Sequence, residues 1–290
     1  MINSGKELLE ICTTRSIKIY EYTIENEIIE TGLTYEEIFE KMRNNLRVMK
    51  SSSEYARRNK VISVSGLIGG DAYKLQKYVE NRKSLTGDFM TLAMARALSC
   101  SEVNAAMGKI VAAPTAGSCG ILPAVIISVG EKLNLSEDDM VKALFTASGI
   151  GMIIAKNATL AGAEGGCQAE CGSAAAMGSA AAVEMMGGSP AQALDAAAIV
   201  IKNILGLVCD PIAGLVEVPC AKRNIAGVVS ALCTADVAMA GIESKIPFDD
   251  TVSAMYKIGK QMPCELRETA MGGLAMTETG IKLRKQVFKE

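Results

Sequence analysis

Ala174-Ala175-Ala176-Met177-Gly178-Ser179-Ala180-Ala181-Ala182-Val183 decides the fold class. The stretch is uncharged, rich in the best helix former and nearly free of β-branched residues, so it reads as a buried helix. Ala191 to Leu205 and Ala226 to Ala240 read the same way. Beyond residue 60 the chain turns to Ala, Gly, Met and Ile, and aromatic residues make up only 4% of the whole with no Trp, so helices can approach closely. Strand signals are sparse: Val61-Ile62-Ser63-Val64-Ser65 is the best short candidate, and regular β-α alternation is missing. The expected class is all-α, with a helical domain over 60–290 and an N-terminal helical arm over 1–59. In the arm, Leu8, Ile11, Ile19, Ile24 and Ile28 fall at helical spacings. Two helices are expected there, broken at Thr31-Gly32-Leu33-Thr34, with Gly32 as C-cap and Thr34 and Glu37 as a capping box.

The wider composition removes whole classes of function. A chain of 290 residues that is 49% hydrophobic folds around a core. Thirty basic against 32 acidic residues leave a net charge of -2, so neither nucleic acid nor an anionic membrane is an expected partner. There is no histidine, which excludes Ser-His-Asp and Cys-His dyads and His-ligated metal within the chain. Ile110 to Gly130 is uncharged and of membrane-spanning length, but Pro114 and Pro123 interrupt it as one helix. It reads as a buried loop leading into a core helix. The start, Met1 to Lys6, carries no basic-then-apolar export pattern, so a cytoplasmic location is expected.

Nine cysteines are an odd set for closed disulfides, and in a reducing compartment clustered thiols serve metal or redox chemistry. A single cysteine in an Ala-rich core is ordinarily a small buried hydrophobe. Three stand apart because helix-breaking residues flank them: Gly165-Gly166-Cys167-Gln168, Val208-Cys209-Asp210-Pro211 and Val218-Pro219-Cys220-Ala221. Each is expected at a helix end, where unpaired N–H groups favour a thiolate. No CxxC occurs, which disfavours zinc ribbons and ferredoxin-type runs, and Cys167 with Cys171 makes only a CxxxC pair, for which packing is the favoured role. If three thiolates hold a cubane, one iron is left open as a Lewis acid, which suits a dehydration.

Several longer segments carry a resemblance. Glu102 to Gly108, Ala113-Pro114-Thr115-Ala116-Gly117-Ser118-Cys119-Gly120, Ala163 to Gln168, Cys209-Asp210-Pro211 with Val218-Pro219-Cys220, and Arg267 to Ala275 resemble the α chain of iron–sulfur-dependent L-serine dehydratases. The likeness covers nearly all of residues 60 to 280. It implies an all-helical catalytic domain that converts L-serine to pyruvate and ammonia with a [4Fe–4S] cluster, whose three cysteines match Cys167, Cys209 and Cys220. Single-chain relatives carry a further domain with a Ser-rich, His-containing segment. This chain lacks both, so the resemblance implies a separate β chain. The C-terminal cysteine of some relatives is also replaced here by Gln286-Val287-Phe288-Lys289-Glu290.

Within those motifs Thr115, Ser118, Asn157 and Arg223 are candidates to bind substrate, Arg223 by pairing with a carboxylate in bidentate fashion. For the base, Ser118, Lys156, Glu164 and Glu170 stand as candidates, beside a group on the partner. The ordinary fate of Lys and Glu is a solvated or ion-paired surface position, and of Asn, including Asn224, a helix cap. Competing readings are a non-catalytic iron–sulfur or metal-binding scaffold that regulates a partner, a desulfidase acting on cysteine, and pyridoxal-phosphate catalysis through Lys156. The last would call for an α/β fold.

Overall fold

The computed structural model describes residues 2–290. Thirteen α-helices follow in order: α1 (Gly5–Arg15), α2 (Ile19–Thr31), α3 (Tyr35–Arg58), α4 (Asp71–Asn81), α5 (Gly87–Ala105), α6 (Ile121–Lys132), α7 (Glu137–Asn157), the short α8 (Gly162–Gly165), α9 (Ser173–Met185), α10 (Pro190–Ile204), α11 (Cys220–Met239), α12 (Phe248–Gln261) and α13 (Glu278–Phe288). The fold is all-α. Among the described residues extended pairing is limited to two isolated bridges, Ile62 with Gly69 and Cys209 with Arg267. The Val61–Ser65 segment therefore forms no strand. Ile62 and Val64 lie exposed, 69% and 77%, with no neighbouring strand to cover them.

The alanine-rich stretch is α9, and every residue from Ser173 to Val183 is buried. Helices α6, α7, α10 and α11 pack around it. Small residues allow the close crossings. A Cβ built on Gly178 would stand 3.3 Å from Val125 of α6, and one on Gly151 of α7 would stand 3.0 Å from Met177 of α9. Interior packing at this density leaves little room for added methyl groups.

The 1–59 segment contributes to the same core: Leu8, Ile19, Ile24 and Leu46 are buried in one cluster with Ile150 and Val183. Polar contacts tie it down as well. The Ile19 N–H donates to Glu184 Oε1 at 2.7 Å, and Lys18 Nζ donates to the Gly188 carbonyl at 2.8 Å. The expected break holds, with Gly32 left-handed at φ 68 and the Thr34–Glu37 capping box formed. A further break at Ser16, which adopts φ 52 without being glycine, makes three helices where two were expected. From Ile110 to Gly130 the chain runs through a loop with a cis Ala113–Pro114 bond into α6. No helix among the described residues is long and apolar enough to cross a membrane.

Two glycines make opposite predictions. A Cβ on Gly120, at the start of α6, would run into the Ala97 carbonyl oxygen and stand 3.0 Å from the Ala97 Cα, both backbone atoms of α5. Gly120→Ala is expected to cost about 1–3 kcal/mol by overpacking. Gly172 lies in right-handed helical conformation, φ -64, with no heavy atom nearer than 3.7 Å to an added Cβ. Gly172→Ala is expected to gain about 0.5–1 kcal/mol from the smaller backbone entropy loss. Urea denaturation of the two variants reads both signs.

Candidate active site

Five segments converge at one end of α11. The first is the loop before α6, where Thr115 is extended and Ala116–Ser118 makes a single 3-10 turn. Asn224, buried one turn into α11, pins this loop: its Oδ1 accepts from Gly120 N at 2.8 Å, and its Nδ2 donates to the carbonyls of Gly117 at 2.7 Å and Cys220 at 2.9 Å. Each group orphaned by losing that amide would cost about 1–3 kcal/mol, so Asn224 is a structural clamp between loop and helix.

The second segment is α8 with the turn that follows. Gly166 has φ 74, a conformation other residues rarely adopt, and a Cβ there would also meet the Leu207 carbonyl at 2.8 Å. Cys167 comes next, and Gln168–Gly172 winds as a π-helical turn before α9. Such turns are frequent at functional sites because they shift the phase of the side chains that follow. Gln168 locks the turn in place, donating from Nε2 to the Met255 carbonyl of α12 at 2.9 Å and accepting from Gly206 N at 2.9 Å.

Cys209 lies in the third segment, extended rather than at a helix end. Its N–H donates to the Leu266 carbonyl at 2.8 Å, and its own carbonyl accepts from Glu268 N at 2.7 Å. That pairing brings in the fourth segment, residues 264–276. The neighbouring Asp210 is buried and spans both sides: Oδ2 accepts from Leu274 N at 2.7 Å and Oδ1 from Arg223 Nη2 at 2.9 Å. Cys220 belongs to the fifth segment. It is the first residue of α11, following a cis Val218–Pro219 bond.

Between these segments sits Glu170. Its carboxylate accepts from Thr115 Oγ1 at 2.7 Å, stands 3.9 Å from Cys209 Sγ, and fills space that a Cβ on Gly117 (2.9 Å) or Gly162 (2.6 Å) would occupy. Ser118 Oγ is 3.2 Å from Thr115 Oγ1, so the two hydroxyls and the carboxylate form one chain of hydrogen bonds. Burial raises the Glu170 carboxyl above its ordinary value, opposed by the Thr115 hydrogen bond. A buried carboxyl of this kind is suited to general acid–base work.

The thiols share one electrostatic neighbourhood. Cys167, Cys209 and Cys220 are all buried, and a charge on Cys167 is felt by the other two. The contact with Cys171, 3.4 Å between sulfurs, lowers the Cys167 thiol; burial opposes that, and the Arg223 guanidinium reinforces it. Burial raises Cys209 and pushes Cys220 up to about 12. Among the described residues no three His, Cys, Asp or Glu side chains gather tightly enough to chelate a single metal ion. The three candidate donors are thiols on separate segments, an arrangement of the kind used by multi-iron clusters, where each thiolate meets a different iron.

Thr115, Ser118, Cys167, Cys209, Cys220 and Arg223 are therefore brought together. Three other candidates take no part in this network. The side chains of Lys156 and Glu164 are exposed and make no hydrogen bond or ion pair. Asn157 is also exposed, and its amide donates to the Asn3 carbonyl at 2.8 Å and the Ile153 carbonyl at 2.9 Å, fastening the N-terminus to the end of α7. Arg223 is committed as well. Its Nη1 donates to the Val208 carbonyl at 2.8 Å and its Nη2 to Asp210, so it clamps the Cys209 segment. Sequence reasoning passed over Asp210 and Arg267. The Arg267 backbone pairs with Cys209, while its guanidinium makes no hydrogen bond or ion pair and its Nε is buried. The Arg267–Ala275 motif held that signal, without saying which residue was free. An open surface groove of about 510 Å³ lined by Tyr55, Lys60, Val103 and Lys109 takes in none of the thiols.

The family model of the serine dehydratase alpha chain matches residues 14–275. The chain is 51% identical over 288 residues to the probable L-serine dehydratase alpha chain of Bacillus subtilis (strain 168), a match covering 99% of this chain and 96% of that one. It is 50% identical over 290 residues to the L-serine dehydratase alpha chain of Peptoniphilus asaccharolyticus, covering 100% and 99%. L-serine dehydratase 2 of Escherichia coli (strain K12) is 34% identical over 285 residues, covering 94% of this chain but 61% of that longer protein. The matched span takes in the three segments that carry the thiols and Glu170, and the chain belongs to the serine dehydratase alpha chain family.

Proposed function

We propose that the chain is the α subunit of an L-serine ammonia-lyase that holds a [4Fe–4S] cluster on Cys167, Cys209 and Cys220 and releases pyruvate and ammonia from L-serine. The observation that carries this reading is the meeting of three buried thiols from three separate segments beside a buried carboxyl. When bound, the cluster supplies an open iron that acts as a Lewis acid toward substrate oxygens.

The chain's own residues supply proton transfer and orientation. Glu170 takes the α-proton of serine as the β-hydroxyl departs, and the Thr115 hydroxyl holds the carboxylate in place through Oε1. Ser118 completes the chain of hydrogen bonds behind Thr115. Arg223 and Asp210 hold the Cys209 segment against α11, so they position the ligand and do not touch substrate. Arg267, whose backbone pairs with Cys209 and whose guanidinium is uncommitted, is assigned to the substrate carboxylate. Arg267→Lys, which keeps the charge and loses the bidentate fork, is expected to raise KM several-fold with kcat less affected. An unchanged KM would remove Arg267 from the binding site.

A separate β chain completes the enzyme. This reading is supported by the alpha-chain names of the relatives matched end to end. The test is anaerobic reconstitution with a β chain followed by pyruvate assay from L-serine. A cluster-loaded pair that turns over no hydroxy- or thiol-amino acid would identify a regulatory scaffold instead.

A further inference from the structure

Cys171 is a thiol in contact with a proposed cluster ligand, and the reaction gives it no task. Its Sγ stands 3.4 Å from Cys167 Sγ, and both residues are buried. Nine cysteines are free, yet this is the only sulfur–sulfur hydrogen bond among the described residues. The two residues bracket the start of the π-helical turn Gln168–Gly172, which places the second sulfur directly against the first.

The separation argues against Cys171 as the ligand of a fourth iron. Two thiolates on one tetrahedral metal, with bonds of about 2.3 Å, lie about 3.8 Å apart, and thiolates on different irons lie farther apart still. At 3.4 Å Cys171 addresses the same corner as Cys167 and competes with it. A disulfide, by contrast, needs the sulfurs to close only to about 2.05 Å, a movement within reach of two side-chain rotations.

We propose that Cys167 and Cys171 form an oxidation site: in the cluster-free chain they close into an intrachain disulfide that keeps Cys167 recoverable. The disulfide itself rests on the sulfur geometry alone. Its consequence for iron loading rests on the reading of Cys167 as a cluster ligand. Hydrogen peroxide, small and uncharged, is the oxidant that can enter so closed a site. The Cys167 thiolate attacks the peroxide O–O bond, giving a sulfenic acid and hydroxide. Cys171 sulfur then attacks the oxidised sulfur, the S–O bond breaks, and the departing hydroxide takes the Cys171 proton as water. Two thiols and one peroxide yield one disulfide and two waters. Without a resolving thiol a second peroxide oxidises the sulfenic acid to sulfinic acid and leaves as water, and thiols do not reduce the product.

The test uses the full chain, stripped of iron anaerobically with a chelator and treated with a several-fold molar excess of hydrogen peroxide. Peptide mapping without reductant is expected to show the 167–171 peptide two hydrogens lighter and resistant to alkylation at both cysteines. Treatment with dithiothreitol is then expected to restore iron and sulfide loading to the untreated level. Cys171→Ser is expected to load iron normally before peroxide, which shows that it folds, and several-fold below the treated wild type afterwards, with Cys167 sulfinic. Pairing of Cys167 with Cys209 or Cys220, alkylatable thiols at 167 and 171 after treatment, or full recovery of Cys171→Ser would overturn the proposal. The peptide mass does not depend on iron, so a chain that forms the disulfide yet never takes up a cluster would sink the proposed function and leave the oxidation site standing.

Discussion

Glu170→Gln is expected to lower kcat by about 10²–10⁴, the usual range for removing a positioned general base, while iron content stays at the wild-type level. The two consequences separate chemistry from assembly. Gln keeps the shape of the side chain and can still accept from Thr115 Oγ1, the 2.7 Å bond that orients the group, so the Thr115 loop and the Cys209 segment keep their contacts. What is lost is the capacity to take a proton. Anaerobic pyruvate assays alongside iron determination read both, and a Glu170→Gln enzyme that retains more than a tenth of wild-type kcat would place the base elsewhere. Equal treatment of Lys156→Gln and Glu164→Gln gives the contrast, since both side chains are exposed and unpaired, and near wild-type rates are expected from each.

Cys209→Ala, Cys220→Ala and Cys167→Ala, the last made together with Cys171→Ser so that the adjacent thiol does not stand in, are each expected to abolish activity and most of the bound iron, because three ligands then leave no spare when one is removed. Cys12→Ala and Cys119→Ala are the controls. Those thiols are buried too, but Cys12 lies in the core of the N-terminal helices and Cys119 packs beside Cys100 at the start of α6. Each control is expected to lose some stability by cavity formation and to keep its iron. Circular dichroism establishes that every variant is folded before iron is counted. Iron retained at full level in any of the three ligand variants would remove that cysteine from the donor set.

The fold class was legible because α9 and its neighbours are helix formers throughout, and burial of an alanine-rich stretch needs no special pattern. Helix ends were legible where a side chain or glycine marks them, as at Gly32 and Thr34. The end of α1 was not, since Ser16 reaches its left-handed conformation without glycine or proline to announce it. The short run Val61–Ser65 reads as a strand by residue type, but a strand exists only where a partner pairs with it, and pairing is a property of the whole chain.

In the site, helix-breaking flanks picked out three cysteines because side chains carried on chain bends leave traces in sequence. Only the position of Cys220 follows the helix-end expectation fully, as the first residue of α11; Cys209 sits in an extended pair. Choosing among Glu164, Glu170 and Lys156 was beyond sequence, because the π-helical turn after Cys167 resets which side chains face inward. The duties of Arg223 and Arg267 were equally hidden. Two arginines in similar motifs differ only in whether a neighbour already holds them, which depends on where Asp210 folds.

Iron and acid-labile sulfide content of the chain, purified and reconstituted without oxygen, tests the central claim most directly. About four irons and four sulfides per chain, with a broad iron–sulfur absorbance band, is the result expected of a cubane held by Cys167, Cys209 and Cys220. A chain that remains free of iron and sulfide yet turns over L-serine, or one that shows the absorbance of a pyridoxal aldimine, would contradict it.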